Sequence, residues 1–152
     1  MKTTMTNNIS TGNAGEYFVA GELERRGFTV GVPMSNVEKF DILAINRRNG
    51  HQFAVQVKTT ASGNKRWTLT SKNEEASKET NKVYIFVSLH ETGMPEYHIV
   101  PWNVVAKEVK ESHKKWLKSP GKKGQPHKDN PIRNFEDKQD KYLNKWEYLD
   151  TL

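Results

Sequence analysis

Asn49-Gly50 separates two segments that each read as a β-strand, Phe40-Asp41-Ile42-Leu43-Ala44-Ile45 and Phe53-Ala54-Val55-Gln56-Val57-Lys58. Asn-Gly is the strongest short hairpin signal, because a type I′ turn needs φ > 0 at both central residues. The two segments are therefore expected to pair as antiparallel strands, and a tight turn sets their register. With Asn49 and Gly50 in the turn, Arg48 faces His51, Asn46 faces Phe53, Leu43 faces Gln56 and Asp41 faces Lys58. One sheet face then carries Ile42, Ala44, Val55 and Val57. The other gathers the carboxylate of Asp41, the amide of Gln56 and the amine of Lys58 at the open end. Directly opposed side chains have Cβ atoms about 4.5–5.5 Å apart. Folding does not require such a cluster, so the three are candidate site residues.

The remaining pattern places this hairpin in a mixed sheet. Residues 1–11 read as a tail. A helix is expected from near Asn13, with Ala14, Tyr17, Phe18, Gly21 and Leu23 as its apolar stripe. Gly27 ends it after Arg25-Arg26, a cationic last turn followed by a C′ glycine. Gly21 inside a helix costs up to ~1 kcal/mol relative to alanine, which suggests a close packing contact. A short strand at 28–32 stops at Pro33. Beyond the hairpin come a loop at 61–66 and an extended piece at 67–70. A Ser71 to Glu74 capping box is expected to open a short helix running to about Thr80. The continuous apolar run at 82–89 is expected to be a central strand covered on both faces. A turn at Gly93-Met94-Pro95 leads to a strand at 96–100. A basic helix follows at 104–118, with Val105, Val109 and Trp116 pointing inward. A last short helix is expected near 136–145, ahead of Trp146-Glu147-Tyr148-Leu149 packing on the body. The order α-β-β-β-α-β-β-α-α implies an α/β fold, a mixed sheet flanked by helices. It forms one domain over 12–152, with a basic helical C-terminal region at about 102–152.

Composition narrows the chemistry. The 152 residues suit one domain. Only 34% are apolar, yet four Trp, five Tyr and six Phe supply large core pieces. The absence of cysteine excludes disulfides and thiolate metal sites. No run approaches the ~20 apolar residues of a membrane span, and residues 1–8 lack an apolar signal core, so a cytoplasmic protein away from membranes is expected. The net charge is +6. Residues 107–128 hold eight lysines (107, 110, 114, 115, 118, 122, 123, 128) against Glu108 and Glu111, so this stretch carries the whole excess. A solvated surface helix is the plain reading; contact with a phosphate backbone is the functional one.

Asp41 has the oxygen chemistry of a ligand to a hard cation such as Mg²⁺, and Gln56 and the Val57 carbonyl offer neutral oxygens beside it. Lys58 would position water and offset charge at a phosphate. The plain alternatives are a satisfied surface aspartate and an exposed cross-strand ion pair. Glu16 lies in Gly12-Asn13-Ala14-Gly15-Glu16, where Asn13-x-x-Glu16 also reads as a capping box. The two glycines would let the helix start approach the sheet, so that Glu16 completes an acidic site. Ser71 and Asn73 are candidate phosphate contacts, although Ser71 is first a helix cap. Arg133 is another. His98, His113 and His127 lack ligand spacing; His113, in the basic helix, and His127, in a polar loop, read as exposed surface residues, with an approach to phosphate as the functional alternative. Trp116 and Trp146 read as core anchors.

Taken together, Gly12-x-x-Gly15-Glu16, Phe40-Asp41 and Gln56-Val57-Lys58-Thr59-Thr60 resemble the PD-(D/E)xK nuclease superfamily, which includes archaeal Holliday-junction resolvases and restriction-type endonucleases. The stretch Trp67-Thr68-Leu69-Thr70-Ser71-Lys72-Asn73-Glu74, followed by Tyr84-Ile85-Phe86-Val87, extends the likeness over about 12–100. The resemblance implies a restriction-endonuclease-like fold and a metal-dependent DNA endonuclease. It implies a catalytic set of Glu16, Asp41, Gln56 and Lys58. Mg²⁺, with Mn²⁺ as substitute, would sit on Glu16, Asp41 and Gln56. DNA would lie along 107–128, and a homodimer is a common form in resolvase-like members. Two departures stand out. Phe40 replaces the family's proline, and Gln56 replaces its usual acidic residue. A transposon-end-cutting member is similar in using Gln-x-Lys. The alternative is a catalytically weak or inactive nuclease-fold DNA-binding module, or a subunit of a larger DNA-processing complex.

Overall fold

The computed structural model describes residues 8–33 and 40–152. Helix α1 (Asn8–Arg25) precedes strands β1 (Phe28–Gly31), β2 (Ile42–Asn46), β3 (Gln52–Thr60) and β4 (Arg66–Thr70). Strands β5 (Lys82–Ser88) and β6 (Glu96–Pro101) lead into helix α2 (Trp102–Lys118), strand β7 (Ile132–Glu136) and the short helix α3 (Tyr148–Thr151). Among the described residues, the main sheet has five strands in the order β1-β2-β3-β5-β6. Only β3 and β5 run parallel; the other neighbours are antiparallel. Strands β4 and β7 form a separate antiparallel ribbon. Among the described residues, no helix is long and apolar enough to cross a membrane.

The apolar run at 82–89 becomes the central strand, as its composition requires. Alternate residues serve opposite faces. Val83, Ile85 and Val87 join α1 (Val19, Leu23), β2, β3 and the C-terminal Trp146 and Leu149 in one core. Tyr84 and Phe86 join α2 (Val105, Val109) and the ribbon (Trp67, Leu69, Phe135) in a second. Aromatic stacking dominates the second core: the Phe86 and Phe135 centroids lie 4.4 Å apart, and those of Tyr84 and Trp102 4.5 Å apart. Burial pushes the Tyr84 hydroxyl up to about 12.

The hairpin forms, but its register differs from expectation by two residues. Ile42 faces Val55, Ala44 faces Phe53 and Ile45 faces Gln52. The loop is longer than a two-residue turn: Gly50 N–H donates to the Asn46 carbonyl (2.8 Å), and Asn46 N–H donates to His51 (2.8 Å). Gly50 has φ +74°, whereas Asn49 is not left-handed, so no type I′ turn exists. Asparagine side chains replace it, Asn46 accepting from Arg48 N–H and Asn49 from His51 N–H, each at 2.9 Å. Arg47 is drawn out of the strand by tertiary contacts to Glu24 and to the Phe28 carbonyl. A shift of two leaves the faces unchanged, so Ile42, Ala44, Val55 and Val57 stay in the core.

Other elements depart from the sequence reading for local reasons. Helix α1 is already formed at Asn8, so residues 8–11, expected as tail, are helical, and Asn13 lies inside the helix rather than capping it; residues 1–7 lie outside the described residues. The buried α1 residues are Gly15, Val19, Glu22 and Leu23; Tyr17 and Phe18 are exposed. Residues 71–74 make one 3-10 turn, capped by Thr70 and Asn73 in place of Ser71 and Glu74. The helix expected at 136–145 is absent. The Asp137 carboxylate accepts from Lys141 N–H, Tyr142 N–H and buried His98, and Asp140 and Asn144 take positive φ. A side chain that captures local backbone donors competes with helix formation.

Candidate active site

Strand β2 begins at Ile42, whereas β3 runs on to Thr60, so among the described residues no β2 strand partner stands opposite residues 56–60. The sheet's regular pairing breaks at this notch: Asp41 N–H donates to Val55 (2.9 Å), the residue already opposite Ile42. Such a step re-aims a side chain. Asp41 turns its carboxylate onto β3, where Oδ2 accepts from Val57 N–H (2.8 Å) and from the Gln56 amide Nε2 (2.7 Å). The carboxylate takes the acceptor place that a longer β2 would have filled with a carbonyl. Asp41 therefore meets Gln56 and Val57 rather than standing directly opposite Lys58, correcting the expected pairing.

Helix α1 approaches the same notch because of Gly15. A Cβ built there would lie 1.8 Å from Thr59 Oγ1, so only glycine permits this helix-to-strand distance. Among the described residues, nothing outside their own stretch of helix lies within 4 Å of such a Cβ at Gly12 or Gly21, so neither is a contact point there. The next residue is Glu16. Burial raises its carboxyl above the ordinary range, the Asp41 charge raises it further, and Lys58 pulls it back. Burial also raises Asp41, against lowering by the Val57 N–H and by Lys58. Two carboxyls and one ammonium, from α1, the start of β2 and β3, thus share one electrostatic field.

Among the described residues, no group of three or more His, Cys, Asp or Glu converges. The oxygen donors at the notch are two carboxylates and the Gln56 amide. That set fits a hard divalent cation that retains several waters, and fits a soft metal poorly. Burial raises both carboxyls, and the Asp41 charge adds to the raising of Glu16; a bound cation would relieve both effects.

The other candidates have different work. Asn73 accepts from Thr70 N–H and donates to the Tyr84 hydroxyl (2.8 Å), and Ser71 N–H donates to the Pro131 carbonyl. Arg133 is buried and donates to Glu74 and to the Asn130 and Ile132 carbonyls, so its guanidinium is committed within the fold. Trp146 is a core residue, but Trp116 is 37% exposed. Its ring stacks with His127 (4.1 Å) and His113 (5.4 Å), which are therefore half-buried rather than freely exposed. His113 also pairs with Asp129 at 2.8 Å. A cleft of about 340 Å³ opens between α2 and β7, lined by Ser112, His113, Trp116 and Asn134 among others, and includes none of the notch residues. The sequence reading missed β7, although Ile132-Arg133-Asn134-Phe135-Glu136 alternates with a period of two and buries Arg133 and Phe135.

A family model described as PD-(D/E)XK endonuclease matches residues 6–119. Among solved structures, that of the bacterial homing endonuclease I-Ssp6803I is similar at 11% identity, covering 97% of this chain and 94% of that one, with a TM-score of 0.55. That of Hjc, a Holliday junction resolvase from the archaeal hyperthermophile Archaeoglobus fulgidus, gives 12% identity, 83% and 84% coverage and a TM-score of 0.46. No curated protein matches the chain.

Proposed function

The chain belongs to the PD-(D/E)XK endonuclease family, and on that premise we propose that it is a divalent-metal-dependent DNA endonuclease acting through Glu16, Asp41, Gln56 and Lys58. The observation that carries this reading is the seating of the Asp41 carboxylate on Val57 N–H and Gln56 of β3, with Gly15 holding the Glu16 turn of α1 against Thr59 of the same strand, in the restriction-endonuclease-like α/β fold.

Glu16, Asp41 and Gln56 would hold the cation, Mg²⁺ or Mn²⁺. When bound, it supplies Lewis-acid polarisation of the phosphate and lowers the pKa of bound water. The chain's own residues do the rest. Val57 N–H and Gln56 hold Asp41 through Oδ2, which leaves Oδ1 outside both bonds. Lys58 orients the attacking water and offsets charge developing on the phosphoryl oxygens. The water oxygen bonds to phosphorus, the bridging P–O bond breaks, and a phosphomonoester and a hydroxyl result. The eight lysines at 107–128 enter no ion pair among the described residues, which leaves them available to the DNA backbone.

One observation favours a second reading, a nuclease-fold module that binds DNA with little cleavage. Gln56 contributes an amide where a carboxylate would add charge, and its nitrogen is turned to Asp41. Plasmid, branched and single-stranded DNA incubated with Mg²⁺ or Mn²⁺ separates the two. The endonuclease reading expects cleavage by the wild type and a loss of about 10²-fold or more in Lys58→Ala. Absence of wild-type cleavage on all three, with salt-sensitive binding that survives Asp41→Ala without metal, would establish the binding module instead.

A further inference from the structure

The ribbon β4–β7 has two unlike faces. Inward, Trp67, Leu69 and Phe135 fill the second core. Outward stand Arg66 opposite Glu136, Thr68 opposite Asn134 and Thr70 opposite Ile132. Packing explains the inner face only. Ile132 is 54% exposed, Thr68 is exposed, Asn134 is half-buried at the wall of the cleft facing α2, and the side chains of Thr68 and Asn134 enter no hydrogen bond among the described residues. Arg66 and Glu136 pair with each other at 3.4 Å, so the uncommitted polar groups lie at the ribbon's centre. Beside β7, across the 340 Å³ cleft, runs α2 with exposed lysines at 107, 110, 114, 115 and 118.

We propose that this outer face enters the major groove of duplex DNA and reads base edges, with Asn134 and Thr68 as the central reading residues and the lysines of α2 and its following loop on the flanking backbone. The proposal rests on the DNA-endonuclease reading and adds a specificity element to it. Dimensions support it. Paired strands lie about 4.8 Å apart, and a two-stranded ribbon of that size is admitted by a major groove ~12 Å wide. Five residue pairs at about 3.4 Å per residue cover roughly four base-pair steps. The chemistry fits too: an asparagine amide matches the donor–acceptor pair on adenine, and threonine and isoleucine methyls match the thymine methyl. The +6 charge of 107–128 favours a polyanion over a protein partner at this face.

Selection from a randomised duplex library, by binding and by cleavage, tests the idea. The wild type should enrich a short motif. Asn134→Ala should lose preference at one position by roughly tenfold or more, with the salt dependence of binding and the thermal midpoint kept. Thr68→Val, nearly isosteric, provides a second variant should Asn134→Ala fold poorly, and it should relax an adjacent position. Wild-type binding with no motif, or an unchanged motif in both variants, would overturn the reader while leaving the endonuclease standing. Failure to bind or cut any DNA would overturn both.

Discussion

Glu16 and Asp41 are held where solvent is partly withdrawn; burial raises both carboxyls, and the Asp41 charge raises Glu16 further. A raised carboxyl binds its proton more tightly in the folded chain than in the unfolded one. Its stabilising contribution is therefore full below the ordinary carboxylate range and is lost as pH climbs through the raised value. The ionised pair is a net cost to the fold at neutral pH. In metal-free buffer, Glu16→Gln should melt above the wild type at pH 7, with the gap closing toward pH ~4. Its cleavage should fall by about 10²-fold or more. Equal melting curves across that range would mean that the Glu16 carboxyl is not raised in the fold. Asp41, Gln56 and Lys58 were legible as a group because alternation along a strand survives a shift of two. Their partners were not legible, because Asn46, Asn49 and Arg47 reset the loop through side-chain contacts, one of them to a distant helix.

Helix α1 delivers Glu16 only because a glycine lies against Thr59. Gly15→Ala would press a Cβ to 1.8 Å from Thr59 Oγ1, so it should destabilise the fold by about 1–3 kcal/mol and reduce cleavage. Gly21→Ala meets nothing within 4 Å and should instead stabilise by up to ~1 kcal/mol, the helix-propensity difference. Chemical denaturation of the two variants checks the contrast. A Gly15→Ala variant as stable as the wild type would mean that the helix can lift from β3 at no cost. Both glycines occupy one helix in the sequence, and only the packing separates their roles. The ribbon shows the same limit. Trp67 to Thr70 reads as an extended piece, but its partner lies some sixty residues on, and nothing local pairs Trp67 with Phe135.

The molecule divides its labour across the central sheet. The α1 face buries Val55 and Val57 and seats Thr59 against Gly15 behind the notch, whereas Gln56 and Lys58 alternate toward the α2 face, which also carries the ribbon, the cleft and the lysines. If α2 and its loop hold DNA, replacing Lys110 and Lys114 by alanine should lower the slope of log binding constant against log salt by about two. Fluorescence-anisotropy titrations at several salt concentrations measure this, and an unchanged slope would place the backbone contacts elsewhere. Much was determined by the sequence alone: the α/β class, the doubly covered strand at 82–89, the hairpin faces, the basic segment and the grouping of Asp41, Gln56 and Lys58. These follow from periodicity and charge, which are local. The tertiary structure alone decided the register, the pairing of β4 with β7, the exposure of Trp116 and the meeting of Glu16 with Asp41. Each depends on a contact between segments far apart in the chain, so its energy is absent from any window of sequence.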